Sequence, residues 1–337
     1  MPNASSSSDA LTGKALDRLN EIVIVGPGGI GGTFAALLAR TGECNVTLLG
    51  RPGPHIEAVR GNGLRLEGLD QLRVEIDALD EPSEIVSCDA LFFAVKAQDT
   101  DTAIAATSHV EVRELVLSLQ NGVVKDEQLA RAFGAERVVG ALAIVAGERP
   151  EPGLVRWTYD GGTRIGELDG RPSERVTRLV DLLGRAGLSS KVSTEIVAAT
   201  WTKLVGWAPI GLLASLTGQG NAGVLSNGVL AREYLGMVRE LAGLAAARSV
   251  ALIDLGPFRV RTWLEQSDAE ALGSVMSSPL ATSDSTHSAL QDIRRGAPTE
   301  LGALLGPLIA DAAQRSVPLA RVGALYAALM GLEETLL

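Results

Sequence analysis

The sequence is short of cysteine and histidine. Only two cysteines, Cys44 and Cys88, and three histidines, His55, His109 and His287, occur in 337 residues. There is no Cys-x-x-Cys pair, and the histidines are not spaced as metal ligands. The chain therefore offers neither a disulfide framework nor a zinc motif. Two cysteines fit a reducing compartment, so we predict a cytoplasmic protein that needs no metal.

Basic residues are not in excess either. Thirty lysines and arginines stand against 40 aspartates and glutamates, which gives a net charge of −10. Such a chain repels the phosphate backbone of nucleic acids and the surface of an anionic membrane. We therefore expect neither nucleic acid nor a membrane as a partner. Any anionic ligand has to be held by a local basic pocket.

One apolar run, residues 196–218, has the length of a membrane span. Its single charge is Lys203, and Pro209 lies near its middle. A lone central lysine is costly in lipid, so a buried helix of a soluble domain is the better interpretation. Apolar helices near 230–247 and 319–329 are core or interface, and a homodimer through this part of the chain is a further possibility.

Two halves of the sequence follow different patterns. In residues 20–193, β-rich runs alternate with helical ones, which predicts an α/β domain with a parallel sheet covered on both faces. Residues 194–337 follow helical periodicity almost throughout, which predicts an all-helical C-terminal domain. Residues 1–19 begin Ser-rich and are predicted to be a disordered tail. Extended segments are predicted at 21–25, 46–49, 64–66, 72–76, 90–95, 115–119, 138–145 and 154–158, with a further short strand at 163–166.

A glycine-rich segment directly follows the first predicted strand and opens a helix. It reads Gly26-Pro27-Gly28-Gly29-Ile30-Gly31 and fits the G-x-G-x-x-G pattern. The first glycine permits the tight turn, the second lets a pyrophosphate approach the backbone, and the third lets the helix pack closely. We therefore predict a Rossmann-type dinucleotide-binding domain, the alternative being a turn without a ligand.

The end of the second predicted strand bears on the choice of cofactor. An acidic residue there would bind the ribose hydroxyls of NAD, but the sequence continues through Gly50 to Arg51. Because an arginine can pair with a 2′-phosphate, we predict NADP(H), the alternative being a solvated surface arginine. Lys96 and Asn121 follow later strands, at the sheet edge where ligands bind. Their alternatives are a surface charge and a turn residue.

Lys203 lies inside the apolar helix. Lys203, Trp207 and Gly211 are spaced four residues apart and share one helix face. Burial would depress the pKa of the lysine and suit it to donating a proton near neutral pH. The alternative is a lysine that extends along its stem to the surface. Glu300 is its natural charge partner if the fold brings the two together.

Several ordered motifs together resemble the ketopantoate reductases, or 2-dehydropantoate 2-reductases, over nearly the whole chain after the tail. They are GPGGIG at 26–31, Arg51, Val95-Lys96-Ala97, Leu119-Gln120-Asn121-Gly122, Trp201-x-Lys203-Leu204, Ser288-x-x-Gln291-Asp292 and Thr299-Glu300. The resemblance implies a Rossmann domain followed by a helical domain, with the active site in the cleft between them. It also implies reduction of a 2-oxo acid by NADPH.

The resemblance assigns roles to individual residues. It implies that Lys203 donates a proton to the forming alkoxide and that Glu300 orders the site near the lysine and the nicotinamide ribose. Asn121 would contact both cofactor and substrate. The remaining implied contacts are Ser288 to the substrate carboxylate, Asn221 to the substrate, Lys96 and Arg51 to the cofactor, and the Ala146 backbone to the cofactor.

Three positions depart from the family pattern. Trp207, Gly211 and Ser285 stand where the family has substrate-binding asparagines. Each lost contact weakens selection for a hydroxylated substrate by about 1–3 kcal/mol, which argues against simple assignment to pantothenate synthesis. Trp207 adds bulk and Gly211 removes volume one turn away, unless Trp207 has turned into the core. The alternatives are a more apolar carbonyl or imine substrate and a non-catalytic NADP-binding sensor.

Overall fold

The computed structural model describes residues 18–336. Leu19, which the sequence placed in the tail, is buried and packs into the core of the first half. The rest of the predicted tail, residues 1–17, lies outside the described residues.

Strands occupy the first half of the described chain. They are Glu21–Val25 (β1), Asn45–Leu49 (β2), Leu64–Gly68 (β3), Leu72–Val74 (β4), Asp77–Leu79 (β5), Ser87–Phe93 (β6), Glu111–Ser118 (β7), Val139–Glu151 (β8), Leu154–Glu167 (β9) and Ser190–Val192 (β10). The helices among them are Gly29–Arg40 (α1), Pro54–Asn62 (α2), Thr100–Thr107 (α3), Lys125–Phe133 (α4) and Glu174–Arg185 (α5).

Five of these strands form a parallel sheet in the order β5-β2-β1-β6-β7. Strand β1 is apolar from Ile22 to Val25, and alternate residues of a strand point to opposite faces of the sheet. Both faces of the sheet therefore need to be covered, and helices cover them. Ile22 and Ile24 lie in one core cluster, whereas Val23 and Val25 lie in another. The predicted parallel sheet is therefore confirmed for these strands.

The remaining strands form a second, mixed sheet that the sequence did not predict. Its order is β10-β9-β3-β4, with β8 antiparallel to β9. The segments predicted separately at 154–158 and 163–166 are one strand, β9. Its glycines lie inside the strand, where the pairing register with β8 shifts and Gly162 adopts a φ of +92°. A bulge of this kind absorbs residues that would otherwise signal a turn.

The second half is helical. Its helices are Ile196–Thr217 (α6), Asn221–Ser226 (α7), Gly228–Ala247 (α8), Val260–Glu265 (α9), Asp268–Met276 (α10), Ser288–Arg294 (α11), Leu301–Gln314 (α12) and Ala320–Leu336 (α13). The α/β class with a helical C-terminal part is confirmed. The last strand ends at Val192 and α6 begins at Ile196, on either side of the predicted boundary at 193/194.

Helix α6 is the central element of the second half. It is long and apolar enough to span a membrane by length and composition, but 78% of its apolar window is buried inside the structure. It packs against α8, α11 and α13 and also against β8 of the first half. Residues on α6 that face β8 therefore lie where the two halves meet.

Candidate active site

The glycine-rich segment forms the turn between β1 and α1. Gly26 has a φ of +105°, and a Cβ there would lie 2.7 Å from the backbone of Ala94. A Cβ on Gly31 would lie 2.1 Å from the Gly26 carbonyl oxygen. A side chain is thus excluded at the first and third glycines of the motif, as expected from the tight turn and the close helix packing.

The two glycines between them have opposite surroundings. A Cβ on Gly29 would lie 2.0 Å from the carbonyl oxygen of Gly147 in β8, whereas one on Gly28 would meet nothing within 4 Å. Gly28 is also the N-cap of α1, and among the described residues no side chain caps this helix or adds an acid to its first turn. The open backbone and free helix N-terminus fit a pyrophosphate. Pro27 lies against Gly50, and Ile30 packs on the core.

Two other predicted cofactor residues flank this turn. Arg51 follows β2, and its side chain is 89% exposed, with Nη2 3.9 Å from Oδ2 of Asp99. It is therefore free to pair with a phosphate. Ala146 is exposed on β8, directly before Gly147, which contacts the glycine-rich turn. Both residues lie on the same side of the first half as the helix N-terminus of α1.

Lys96 and Glu300 meet across the two halves. Lys96 Nζ donates to Oδ2 of Asp292 at 3.1 Å and lies 3.7 Å from Oε2 of Glu300. The backbone N–H of Ala97 donates to Oε1 of Glu300 at 2.9 Å. Glu300 therefore contacts the end of β6, and no hydrogen bond joins it to Lys203 among those of residues 18–336.

Lys203 projects from α6 towards the first half. Its ammonium donates to Oδ1 of Asn121 at 2.9 Å and to the carbonyl oxygen of Ala143 in β8 at 2.8 Å. An ammonium has three protons, so one is left for a further acceptor. The pocket beside it is lined by Gln120, Asn121, Gly122, Leu142, Thr200, Lys203, Leu204 and Trp207. The side chain of Lys203 thus points to these two acceptors, and the alternative of a lysine that extends along its stem to the surface does not fit.

Burial lowers the pKa of Lys203 to about 8. This value already includes the positive charge of Lys125, which lowers the pKa, and the carboxylate of Glu300, which raises it. At neutral pH the ammonium thus keeps its proton but releases it more readily than an exposed lysine. The depressed pKa predicted from the helix pattern is found.

Lys125 is a residue that sequence reasoning missed. It begins α4 four residues after Asn121, its side chain is 3% exposed, and Nζ lies 2.7 Å from Oδ1 of Asp126. Burial raises the pKa of Asp126, which the adjacent ammonium opposes. The only signal in the sequence was the position of this lysine just after the Gln-Asn-Gly segment.

The positions that depart from the family pattern pack together. Trp207 lines the pocket, and its ring centroid lies 4.2 Å from that of His287, with an interplanar angle of 35°. A Cβ on Gly211 would lie 2.5 Å from Cε1 of His287. The volume that Gly211 was expected to free is therefore filled by His287, which sequence reasoning also missed. Trp207 is half-buried: it lines the pocket and also packs against the hydrophobic core of the second half.

The remaining predicted substrate residues lie beyond this ring pair. Nδ2 of Asn221 donates to Oγ of Ser285 at 2.8 Å, and the Asn221 backbone N–H donates to the Ser285 carbonyl oxygen at 3.1 Å. Ser288 is exposed at the start of α11, next to His287. The structure thus joins Lys203, Asn121 and Trp207 in one pocket, whereas Asn221, Ser285 and Ser288 are not among the residues that line it. Within residues 18–336, no three metal-ligating side chains come together.

Two models of known protein families match the two halves of this chain. The family model described as ketopantoate reductase PanE/ApbA matches residues 22–170, and the model described as ketopantoate reductase PanE/ApbA C terminal matches residues 195–333. The chain belongs to the ketopantoate reductase family. The resemblance carried by the motifs and the Rossmann-type fold of the first half are thereby confirmed.

Individual relatives agree with the family. The 2-dehydropantoate 2-reductase of Pyrococcus horikoshii is 30% identical over 291 residues, which cover 86% of this chain and 89% of the relative. The solved PanE/ApbA family ketopantoate reductase of Ralstonia eutropha JMP134 is 27% identical, with a TM-score of 0.79 and coverage of 94% and 99%. A D-mandelate dehydrogenase solved with NADH is 18% identical, with a TM-score of 0.79 over 94% of this chain and 99% of its own, and shows the shared fold alone. The chain is thus similar to ketopantoate reductases, which are oxidoreductases.

Proposed function

We propose that this protein is an NADPH-dependent reductase that converts a 2-oxo acid into a 2-hydroxy acid. The observation that carries the proposal is Lys203, a half-buried lysine that two acceptors hold at the wall of a pocket between the two halves. A lysine in this state suits a proton donor for an oxygen that becomes negative during reduction. Family membership supports the same chemistry.

The cofactor would lie along the first half. The free N-terminus of α1 and the open backbone at Gly28 suit the pyrophosphate, and Arg51 suits the 2′-phosphate. Lys96, Glu300 and the backbone of Ala146 would complete the cofactor side. NADPH, when bound, supplies the hydride for the carbonyl carbon of the substrate.

The side chains of the pocket perform the rest of the reaction. Asn121 and the Ala143 carbonyl orient the Lys203 ammonium, so that its third proton is available to the substrate oxygen. The positive charge stabilises the alkoxide as it forms, and the proton then neutralises it. Asn121 would also contact the substrate, with Ser288 as a contact for its carboxylate.

The first test is the oxidation of NADPH, followed by its absorbance, with ketopantoate as the substrate. Lys203→Ala is expected to lower kcat at least about 100-fold, the usual contribution of a positioned acid, while the Kd for NADPH stays close to that of the wild type. Lys191→Ala serves as the control, because Lys191 is exposed on β10. Equal losses of turnover and of NADPH binding in Lys203→Ala would contradict the assigned role.

The outcome of the wild-type assay also separates two functions. Oxidation of NADPH with any 2-oxo acid supports the reductase. Tight NADPH binding without oxidation across ketopantoate, trimethylpyruvate and phenylglyoxylate would instead favour a protein that senses the cofactor, and the proposal would be wrong.

A further inference from the structure

Trp207 and His287 form one packed unit beside the lysine, which we call the ring wall. Trp207 lines the pocket one helical turn from Lys203, and its indole stacks at 4.2 Å on the imidazole of His287. His287 is 4% exposed and does not itself line the pocket, so it acts there through Trp207. The part of the pocket that faces these residues is therefore aromatic.

The imidazole of the ring wall is fixed from two sides. Its Nδ1 accepts a hydrogen bond from the backbone N–H of Ala289 at 3.1 Å, and its Cε1 edge lies against Gly211. Burial lowers the pKa of His287 to about 3, so the ring is neutral at physiological pH. His287 therefore acts as a rigid, uncharged support that holds the indole at the pocket.

The polar groups nearest the ring wall are not offered to the pocket. Oδ1 of Asn221 and Nε2 of His287 have no hydrogen-bond partner among the described residues, but both atoms are buried and neither residue lines the pocket. Asn221 and Ser285 hydrogen-bond to each other through side chain and backbone. Trp207 and Gly211 bring no side-chain oxygen or amide to this face of α6. A hydroxyl placed against the face of the Trp207 indole would lose water without gaining a partner, which costs binding free energy.

We infer that this protein selects 2-oxo acids whose side chain is apolar and carries no hydroxyl, and that Trp207, held by His287, is the residue that selects them. The inference rests on the proposed reductase function and concerns only the side chain of the substrate. A site built around an apolar wall discriminates against a hydroxylated analogue because the hydroxyl stays unpaired there.

A matched substrate pair tests the inference, because ketopantoate differs from trimethylpyruvate by a single hydroxyl. We expect kcat/KM with NADPH to be at least about tenfold higher for trimethylpyruvate than for ketopantoate. Phenylglyoxylate, whose flat ring can stack on an indole, is the third substrate and is also expected to exceed ketopantoate.

Substitution at the ring wall should change this preference. Trp207→Asn restores a polar side chain and is expected to lower the trimethylpyruvate-to-ketopantoate ratio of kcat/KM at least about tenfold. Trp263→Phe is the matched control, because Trp263 is 2% exposed in the helical core and does not line the pocket. It is expected to leave the ratio unchanged.

The role of His287 is tested through its contact with Gly211. Gly211→Ala forces a methyl group into the imidazole and is expected to disturb the ratio, whereas Gly211→Ala combined with His287→Ala relieves the collision. Gly206→Ala is the control on the same helix, since its Cβ would lie 2.4 Å from Phe258 and outside the pocket. It is expected to lower Tm in a similar way while leaving the ratio as in the wild type.

The outcomes separate this inference from the function on which it rests. If ketopantoate is reduced as well as or better than trimethylpyruvate, or if Trp207→Asn leaves the ratio unchanged, the inference is overturned and the reductase remains. If Gly211→Ala lowers Tm without moving the ratio, His287 has no part in selection. If none of the three acids is reduced although NADPH binds, the reductase proposal itself fails.

Discussion

The two sides of the cleft differ in how they hold a ligand. On the proposed cofactor side, the turn from β1 to α1 offers backbone groups, and at Gly26, Gly29 and Gly31 a Cβ would lie 2.0–2.7 Å from backbone atoms. On the proposed substrate side, the pocket is lined by residues of α6, the segment after β7 and Leu142 of β8, and His287, before α11, packs against Trp207. Backbone recognition leaves little freedom in sequence, whereas side-chain recognition can be remodelled one residue at a time.

The proposed substrate side fits such remodelling. The motif resemblance implies asparagines at the positions of Trp207 and Gly211, yet the space beside Gly211 is not left empty. His287 fills the space above Gly211 and supports the indole. On the same helix, Lys203 donates its two hydrogen bonds to Asn121 and to the Ala143 carbonyl oxygen. On the proposed function, chemistry and side-chain selection are therefore carried by separate residues on one helix.

The largest expected effects lie in the glycine-rich turn and test whether backbone alone holds the cofactor. Gly28→Ala places a methyl group in open space at a φ of −79°, which alanine adopts freely. The ligand-free Tm should therefore stay as in the wild type. The Kd for NADPH should rise on the order of 100-fold, because the methyl group occupies the approach of the pyrophosphate.

Gly29→Ala is the contrasting variant of the same turn. Its Cβ would collide with the Gly147 carbonyl oxygen at 2.0 Å, and backbone atoms on both sides have little room to yield. We expect a loss of about 1–3 kcal/mol in the free energy of unfolding, measured by chemical denaturation. Wild-type NADPH affinity in Gly28→Ala, or equal loss of stability in both variants, would break the comparison between the two sides.

Arg51→Ala should have a smaller effect, and it tests how the cofactor side selects NADPH over NADH. Its side chain is 89% exposed and meets Asp99 only at 3.9 Å, so Arg51→Ala should not change stability. Loss of a charge-assisted contact to the 2′-phosphate should raise KM for NADPH about tenfold or more and leave KM for NADH unchanged. Arg73→Ala, an exposed arginine of β4, is the control. Equal changes for both cofactors would argue against NADP selection by Arg51.

Much of the cofactor side could be predicted from sequence because its signals are local. The strand, the glycine pattern and the helix of residues 21–40 occur within one stretch, and the structure places each glycine as the pattern requires. The second sheet was not predicted, because β3 pairs with β9 across about 90 intervening residues. Local periodicity does not encode such distant pairing.

The substrate side was predicted only in part for the same reason. The spacing of Lys203 and Trp207 placed them on one face, and the structure confirms that both line the pocket. The contact between His287 and Gly211 joins positions 76 residues apart, and the effect of Lys125 on Lys203 joins two different elements. Glu300 was expected as a charge partner of Lys203 if the fold brought the two together; it contacts Lys96 and Ala97 directly and acts on Lys203 through its charge. Each of these depends on how the two halves are placed in space.

Lys125→Met should have the smallest effect, and it tests whether the first half tunes the chemistry of the second. The positive charge of Lys125 adds to burial in lowering the pKa of Lys203 to about 8. Without that charge the pKa rises, Lys203 keeps its proton to higher pH, and reduction persists there. The descending limb of kcat/KM against pH, measured with the most rapidly reduced 2-oxo acid, should move to higher pH.

Two further variants make this shift interpretable. Lys125→Met leaves the buried Asp126 carboxyl without its partner, so Lys125→Met/Asp126→Asn is measured beside it. Lys191→Met removes an exposed positive charge on β10 and should leave the profile unchanged. If the descending limb of kcat/KM lies at the wild-type pH in both Lys125 variants, the charge of Lys125 does not contribute to the acidity of Lys203. The loop after Asn121 would then orient the lysine without tuning it, and the two sides of the cleft would be electrostatically independent.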